Sequence, residues 1–425
     1  MRPARYLLVL AAMILVGMGA IGTFNALVDP LELLDLSGAV GLDTRKPLVN
    51  VYARVSKAAV DCRMRPSFVI LGTSRSQHAL DPQWPGLENL GYRGFNLAFP
   101  GANIYEIRRA FENATACGSV QGALIELDFL SFNIHSRSGA PDFEEGLFRH
   151  SRRDWLRPAL EILRLLTSLD MAKESILTLQ APPGEVEFEP NGRENDVIFE
   201  RRVVTWGGVR GAFRRSERAQ YAGPILATPF GERPHFRFPD GTANLADLEK
   251  ILATARRNDV HLWFYFAPVH ARQLELYREL DLWPQLEDWK ATLVRSVYSW
   301  EDARATSATV QIWDFSGYNS VTTETVPAIG DSRSRMVGYW ESSHIRKRLG
   351  DMMLARMFGT GSQQAALQLP ADFGVRVTPA NIDADTRQIR ADARRYQASH
   401  PLEEAEVKAE VDNASNWQLA ASRDE

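Results

Sequence analysis

SFVILG (67–72) is an unbroken apolar run closed by a glycine, and Thr73, Ser74 and Arg75 follow it at once. Such a run is typical of a strand buried on both faces of a parallel sheet. Sites in open parallel sheets form beyond the carboxyl ends of the strands. Ser74 is therefore a candidate nucleophile, although a Gly-x-Ser after a strand is more often only a turn.

Three further apolar runs follow the same pattern: ALIELD (123–128), HLWFYFAP (261–268) and VQIWDF (310–315). Helical stretches separate them. The sequence predicts helices over 104–115, near 245–258, as a pair over 270–300 and, last, over 348–358. This alternation predicts an α/β fold whose parallel sheet is covered by helices on both faces.

Polar residues stand where these strands end. Asp128 closes the second run, His270 follows the third, and Asp314 lies near the end of the fourth. Each has a plain structural interpretation, as a turn former for the carboxylates and as a satisfied buried residue for His270. Their convergence with Ser74 at one edge of the sheet favours a functional site, in which His270 would be a substrate contact.

WESSH (340–344) precedes the closing helix and carries Glu341 and His344 three residues apart. A nucleophilic serine needs a base within hydrogen-bond reach, and the base needs a group that fixes its tautomer. One turn can present both. The alternative is that His344 only caps the helix and Glu341 is solvated. Together with Ser74, the catalytic interpretation is favoured.

The chain resembles the SGNH/GDSL hydrolase superfamily, in particular the membrane-anchored, exported branch that includes the alginate O-acetylation proteins and DltD. The matching blocks are ILGTSRS (70–76), NLAFPGAN (96–103) and WESSH (340–344). The resemblance implies a three-layer α/β/α sandwich over about 67–358, apart from an insertion.

The resemblance also implies roles for the residues in these blocks. Ser74 would be the nucleophile, His344 the general base and Glu341 the orienting carboxylate, where the family more often has Asp. Gly101 and the Ser74 backbone N–H would bind the oxyanion. The family's Gly-x-Asn-Asp block has no clean counterpart here, so Asn103 is an oxyanion candidate by position alone.

Arg75 directly follows the candidate nucleophile. It would either bind an anionic substrate or pair with a carboxylate such as Asp128. No cofactor is implied. The histidines lack the short spacing typical of metal ligands, so no metal site is predicted.

Residues 6–28 carry no charge, while Arg2 and Arg5 precede them. Twenty-three residues at 1.5 Å each span roughly 34 Å, enough for a bilayer core of about 30 Å. The positive-inside rule keeps the N-terminus in the cytoplasm, so that everything after residue 28 faces the other side. We therefore expect an anchor in a bacterial inner membrane, with the main domain in the periplasm. A cleaved signal peptide is the alternative.

Cys62 and Cys117 are the two cysteines of the chain, and each lies shortly before a predicted strand. If these strands are parallel neighbours, both cysteines lie at the same end of the sheet, where a disulfide is reasonable in an exported protein. Two unpaired buried thiols are the alternative.

The predicted organisation is a juxtamembrane segment (29–60), a main domain (61–360) with an insertion at about 134–240, and a peripheral or disordered tail (361–425). The chain has 425 residues, 45% of them hydrophobic, and a formal net charge of -4. This composition argues against a disordered chain and gives no sign of nucleic-acid binding.

Three functions remain open on the sequence. The first is serine-dependent acyl transfer, which the resemblance makes O-acetylation of a cell-surface or secreted polysaccharide, with a multi-pass membrane O-acyltransferase supplying the acyl group. The second is an esterase or deacetylase with water as acceptor. The third is a non-catalytic polysaccharide-export scaffold with the same fold.

Overall fold

The computed structural model describes residues 3–36, 46, 49, 51–136, 139–140, 142–181, 188–228, 232–302 and 308–421, with only the backbone of 301–302 and 417–421. Arg2, much of the predicted juxtamembrane segment, and parts of the predicted insertion and tail lie outside the described residues.

A six-stranded, mostly parallel sheet forms the centre of the fold, in the order β2-β1-β3-β4-β5-β6. Its strands are Phe68–Leu71 (β1), Gly94–Asn96 (β2), Gly122–Leu127 (β3), His261–Phe266 (β4), Val310–Asp314 (β5) and Val375–Val377 (β6). All neighbouring pairs are parallel except β5 and β6. The mixed α/β architecture is thus confirmed. The sequence did not predict β2 or β6, because three residues are too few to establish a strand pattern.

Helices connect and flank the strands. In the described parts of the chain they are Pro3–Val28 (α1), Ala53–Met64 (α2), Ser74–Ala79 (α3), Pro85–Asn89 (α4), Ile104–Cys117 (α5), Leu156–Leu166 (α6), Leu169–Gln180 (α7), Val197–Thr205 (α8), Val209–Arg215 (α9), Gly223–Ala227 (α10), Ala246–Asn258 (α11), Ala271–Glu279 (α12), Trp283–Asp302 (α13), Lys347–Phe358 (α14), Gly361–Ala366 (α15), Ile382–Ser399 (α16) and Pro401–Ala421 (α17). A π-helix, Ser216–Ala222, joins α9 to α10.

Buried apolar side chains cover both faces of the sheet. Because successive strand residues point to opposite faces, Val69 and Leu71 of β1 belong to one buried cluster, while Phe68 and Ile70 belong to another. Side chains from α2, α5 and α11 fill the first cluster, and side chains from α14 fill the second.

The strand register brings the carboxyl ends of the parallel strands to one edge. Leu71 of β1 lies beside Ile125, and Leu127 of β3 lies beside Phe266 of β4. The segments that follow β1 and β3 therefore meet at this edge, and they begin with Gly72 and Asp128.

The opposite edge holds the disulfide between Cys62 and Cys117, whose Cα atoms are 4.9 Å apart. The predicted pairing is confirmed, and it fits an oxidising compartment. Helix α1 is the one helix among the described residues that is long and apolar enough to cross a membrane.

The structure adds detail to two predictions about the later chain. The helix predicted over 155–169 is present as α6, and the insertion also holds α7, α8, α9, α10 and the π-helix. The described part of the tail is ordered: it supplies β6, and α17 buries Val407 and Val411. The sequence did not indicate this packing, because the tail has few large apolar residues. Much of its contact is made by carboxylates that pair with buried arginines, such as Glu403 with Arg272.

Candidate active site

The turn after β1 is built around Gly72, which has a positive φ of 154°. A Cβ at this position would overlap the Ser76 hydroxyl and the Glu126 side chain. Thr73 then caps α3 by accepting the Arg75 backbone N–H, and Ser74 is the first residue of that helix. The tight turn leaves Ser74 partly exposed at the carboxyl edge of the sheet.

Ser74, His344 and Glu341 come together as predicted from the sequence. Ser74 Oγ lies 2.7 Å from His344 Nε2, and His344 Nδ1 contacts Glu341 Oε1 on the other side of the ring. The carboxylate therefore holds the proton on Nδ1, which leaves the Nε2 lone pair to accept the serine hydroxyl.

The loop before α14 fixes the relative positions of Glu341 and His344. Tyr339 and Ile345 form an antiparallel bridge, and the Trp340 N–H donates to the His344 carbonyl at 2.9 Å. This closes residues 340–344 into a tight loop. As a result, Glu341 Oε1 also accepts the His344 backbone N–H at 2.8 Å.

Glu341 is buried and ionised. Burial alone would raise its pKa, but His344 beside it, together with hydrogen bonds from His344, Ser216 and the Ser343 backbone, lowers the pKa to about 2. The Ser343 N–H donates at 3.0 Å. A permanent negative charge here stabilises an imidazolium during proton transfer.

A cavity of about 280 Å³ opens beside Ser74. Gly101 and Asn103 line it with Ser74 and His344, so the predicted oxyanion residues share the cavity with the nucleophile. Gly101 has φ of 59°, and a Cβ there would meet open space. Asn103 Oδ1 accepts the Glu106 backbone N–H at 2.9 Å as the cap of α5.

The Ser74 backbone N–H is a further donor for an oxyanion. It lies in the first turn of α3, where helical N–H groups have no acceptor within the helix. The site therefore holds a hydroxyl, a base, an orienting carboxylate and donors for a developing negative charge, which is the set that acyl transfer requires.

Arg75 pairs with Asp128, one of the two alternatives that the sequence left open. Its Nη1 contacts Asp128 Oδ2 and lies 3.4 Å from Glu126 Oε1. Burial is the largest influence on the Arg75 pKa and would lower it, but the neighbouring carboxylates, Asp128 foremost, raise it well above its usual range. The guanidinium thus stays protonated in the cavity wall, and the adjacent carboxylates balance its positive charge.

His270 does not line the cavity with Ser74 as a substrate contact would; it is the satisfied buried residue that the sequence offered as the alternative. It is buried, and its Nε2 lies 2.8 Å from the Glu324 carbonyl. Burial, as the largest cause, lowers its pKa to about 4. Its backbone N–H donates to the Ser342 carbonyl at 2.9 Å, so it supports the loop that carries His344.

Asp314 is also outside the cavity, since it pairs with Lys290 of α13. Of the four polar residues expected at the strand ends, Ser74 and Asp128 are the two that line the cavity. The cavity lies at the ends of the neighbouring strands β1 and β3. Strand β5 is two strands further along the sheet than β3.

Sequence reasoning missed Glu126, which organises the nucleophile turn. It is fully buried on β3, and its Oε2 accepts the Ser76 hydroxyl at 2.7 Å in addition to two bonds from Thr73. The signal was present, because Glu126 is the one charged residue within the apolar strand 122–127. Buried carboxylates require partners.

Tyr221 and Gln220 were missed as well. Both line the cavity and belong to the π-helix in the predicted insertion. The Tyr221 hydroxyl lies 3.2 Å from Arg75 Nη2 and also contacts Ser343 Oγ. Single π-helical turns often occur at functional sites, but no sequence pattern marks this one.

Comparison with protein-family models finds no match for the chain. Comparison with curated proteins finds none either.

Proposed function

We propose that this chain is a serine-dependent acyl-transfer enzyme with a three-layer α/β/α fold of SGNH type. One observation carries the proposal. Ser74 Oγ lies 2.7 Å from His344 Nε2 at the wall of an open cavity, with the buried Glu341 on the opposite ring nitrogen. This is the relation between nucleophile, base and orienting group that a serine triad needs.

The positions of the three sequence blocks support the fold proposal. The nucleophile block spans the end of β1 and the start of α3, the glycine block begins in β2 and ends at the cap of α5, and WESSH precedes α14. Apolar clusters on both faces of the sheet are what a three-layer arrangement would bury.

The chemistry follows from the geometry. His344 Nε2 takes the hydroxyl proton as Ser74 Oγ attacks the acyl carbonyl carbon. The oxyanion accepts hydrogen bonds from the backbone N–H groups of Ser74 and Gly101. His344 then returns the proton to the leaving oxygen, and an acyl-serine remains. An acceptor hydroxyl gives its proton to His344, attacks the acyl carbon and releases Ser74.

The proposed acceptor is a hydroxyl of a cell-surface or secreted polysaccharide, and the proposed group is acetyl. A multi-pass membrane O-acyltransferase would supply it. Helix α1 would anchor the chain in a bacterial inner membrane, with the N-terminus cytoplasmic and the main domain periplasmic. With water as the acceptor, the same residues would make an esterase or deacetylase.

The site geometry favours an enzyme over a non-catalytic export scaffold. A serine covered by the insertion would be expected of a scaffold. Ser74 is instead partly exposed, and the insertion contributes Tyr221 to the wall of the cavity beside it.

Acyl-enzyme trapping tests the proposal. The full chain in detergent is incubated with a fluorophosphonate or an activated acetyl ester, and peptide mass spectrometry locates the adduct. We expect it on Ser74 and expect Ser74→Ala to abolish it. His344→Ala should slow its formation roughly 100- to 10,000-fold, the usual contribution of a general base.

Ser136→Ala is the matched control, since Ser136 also lines the cavity and is exposed. It should leave the adduct unchanged. A folded chain that forms no adduct on Ser74 would refute the enzyme proposal. Adding an acetyl-accepting oligosaccharide to the acetylated protein then separates transfer to a sugar from hydrolysis.

A further inference from the structure

Helix α6 turns its apolar stripe away from the protein. Leu156, Leu160 and Leu163 recur at helical spacing on one face and are 54%, 56% and 57% exposed. Trp155, directly before the helix, is 61% exposed. A surface helix of a globular protein normally buries such a stripe against its core.

The opposite face of α6 packs on the core through other apolar side chains, and two arginines on the flank between the two faces add polar contacts. Arg164 forms an ion pair with Glu144 at 3.0 Å, and Arg157 donates to the backbone carbonyls of Glu145 and Phe148 at 2.6 and 2.8 Å. The outward direction of the leucines is therefore set by apolar packing on the inner face and by these bonds on the flank.

Helix α7 extends the same kind of surface. Four of its large apolar side chains are exposed: Leu169, Ile176, Leu177 and Leu179. Together with Trp155, Leu156, Leu160 and Leu163 of the preceding segment they form what we call the α6–α7 apolar face. A concentration of exposed large apolar side chains of this kind marks an interaction site.

The α6–α7 apolar face is attached to the end of α1. Asn25 of α1 is fully buried, and its Nδ2 donates to the carbonyl of Leu166 at 2.7 Å. Its Oδ1 accepts the Ser175 hydroxyl at 2.8 Å. These two hydrogen bonds thus hold α6 and α7 against the last turns of α1.

The two hydrogen bonds of Asn25 set the level of the α6–α7 apolar face relative to a bilayer. The twenty residues of α1 from Tyr6 to Asn25 would span about 30 Å at 1.5 Å per residue, the thickness of a hydrocarbon core. Asn25 would therefore lie where the hydrocarbon core ends and the headgroup region begins. Large apolar side chains between Tyr6 and Met18 are exposed, as lipid contact requires.

The flanking residues also match a membrane surface. Arg152 and Arg153 are exposed and come just before Trp155. Interfacial helices combine an apolar face with tryptophan at the headgroup level and basic residues that attract anionic lipids.

We propose that the α6–α7 apolar face lies in the headgroup and acyl boundary of the bilayer that α1 crosses, so that the chain is held to the membrane at two places and the main domain keeps one orientation to its surface. The occupant is lipid, because the face is continuous with a helix whose own apolar side chains are exposed. This inference rests on the proposed anchoring by α1, and it is independent of acyl transfer.

A depth-sensitive probe tests it. The full-length Leu160→Cys variant, with its disulfide intact, is labelled with the environment-sensitive dye NBD and reconstituted in vesicles of phosphatidylcholine and phosphatidylglycerol. Leu402→Cys is the matched control, because Leu402 is an 84% exposed leucine on α17. Circular dichroism checks that both variants are folded, and flotation with the vesicles reports on α1.

We expect the dye at 160 to emit at shorter wavelength than at 402. It should lose about half its intensity to lipids with a shallow doxyl quencher, since the side chains of interfacial helices lie roughly 5–10 Å deep. The dye at 402 should not respond.

Flotation without quenching at 160 would refute the membrane contact while leaving the anchor intact. A short-wavelength emission at 160 without doxyl quenching would refute it in favour of a protein partner, and failure to float would refute both the anchor and this inference. The Ser74 adduct is measured separately and tests the proposed activity.

Discussion

Glu126 Oε2 accepts both the backbone N–H and the hydroxyl of Thr73, at 2.8 and 2.9 Å. Thr73 directly precedes the candidate nucleophile, so a buried carboxylate on the neighbouring strand fixes the turn from which Ser74 projects. This contact explains why a charged residue stands inside an otherwise apolar strand. It also makes Glu126 a positioning residue, which acts on Ser74 through Thr73 and Ser76.

Glu126→Gln should therefore impair the site without removing any triad member. The amide cannot accept all the bonds that the carboxylate accepts, so a buried donor loses its partner, which costs about 1–3 kcal/mol. We expect this loss in urea titrations, together with a slower Ser74 adduct. Glu88→Gln, on an exposed residue, should change neither; equal behaviour of the two variants would contradict the assigned role.

Glu341 should make stability depend on acid pH. Its folded pKa of about 2 lies below the usual value of 4.5, so its contribution is complete above pH 4.5 and is lost as the pH falls towards 2. Between pH 6 and pH 3 the free energy of unfolding of the native chain, relative to Glu341→Gln, should fall by about 2 kcal/mol. Urea titrations in detergent measure it, and a pH-independent difference would be inconsistent with an ionised Glu341.

The tail should stabilise the site through Arg272. This fully buried arginine pairs with Glu217 of the π-helix at 2.6 Å and contacts Glu403 and Glu406 of α17. Glu403→Gln/Glu406→Gln leaves a buried charge short of partners, and we expect a loss of about 3–5 kcal/mol in urea titrations.

The matched control for the tail is Glu404→Gln on the same helix, which should change stability little. Because the π-helix also carries Tyr221 to the cavity, the double variant should slow the Ser74 adduct as well. A double variant as stable as the control would show that α17 does not brace the π-helix.

The disulfide should stabilise the fold without affecting the chemistry. Cys62 and Cys117 are 55 residues apart in sequence, and the chain entropy of closing such a loop corresponds to about 4 kcal/mol. Both cysteines lie before the amino ends of their strands, opposite Ser74. Cys62→Ser/Cys117→Ser should unfold at lower urea but form the Ser74 adduct at the native rate below its transition; a slower adduct there would argue against this separation.

Local patterns in the sequence were sufficient to predict the main features of the fold and the Ser74, His344 and Glu341 arrangement of the candidate site. The apolar runs predicted four strands, because a strand buried on both faces must be apolar throughout. The three-residue spacing of Glu341 and His344 predicted that one turn would present both. The uncharged run 6–28 predicted the long apolar helix α1.

Tertiary structure decided whatever depends on partners from distant segments. The packing of the elements decides that Arg75 pairs with Asp128 and does not face a substrate. It also decides that His270 supports the loop at Ser342 and does not enter the cavity. The same holds for Glu126, for Tyr221 and for the ordered tail. A buried charge or hydroxyl is stable only with a partner, and that partner is chosen by the fold as a whole, which no local stretch of sequence encodes.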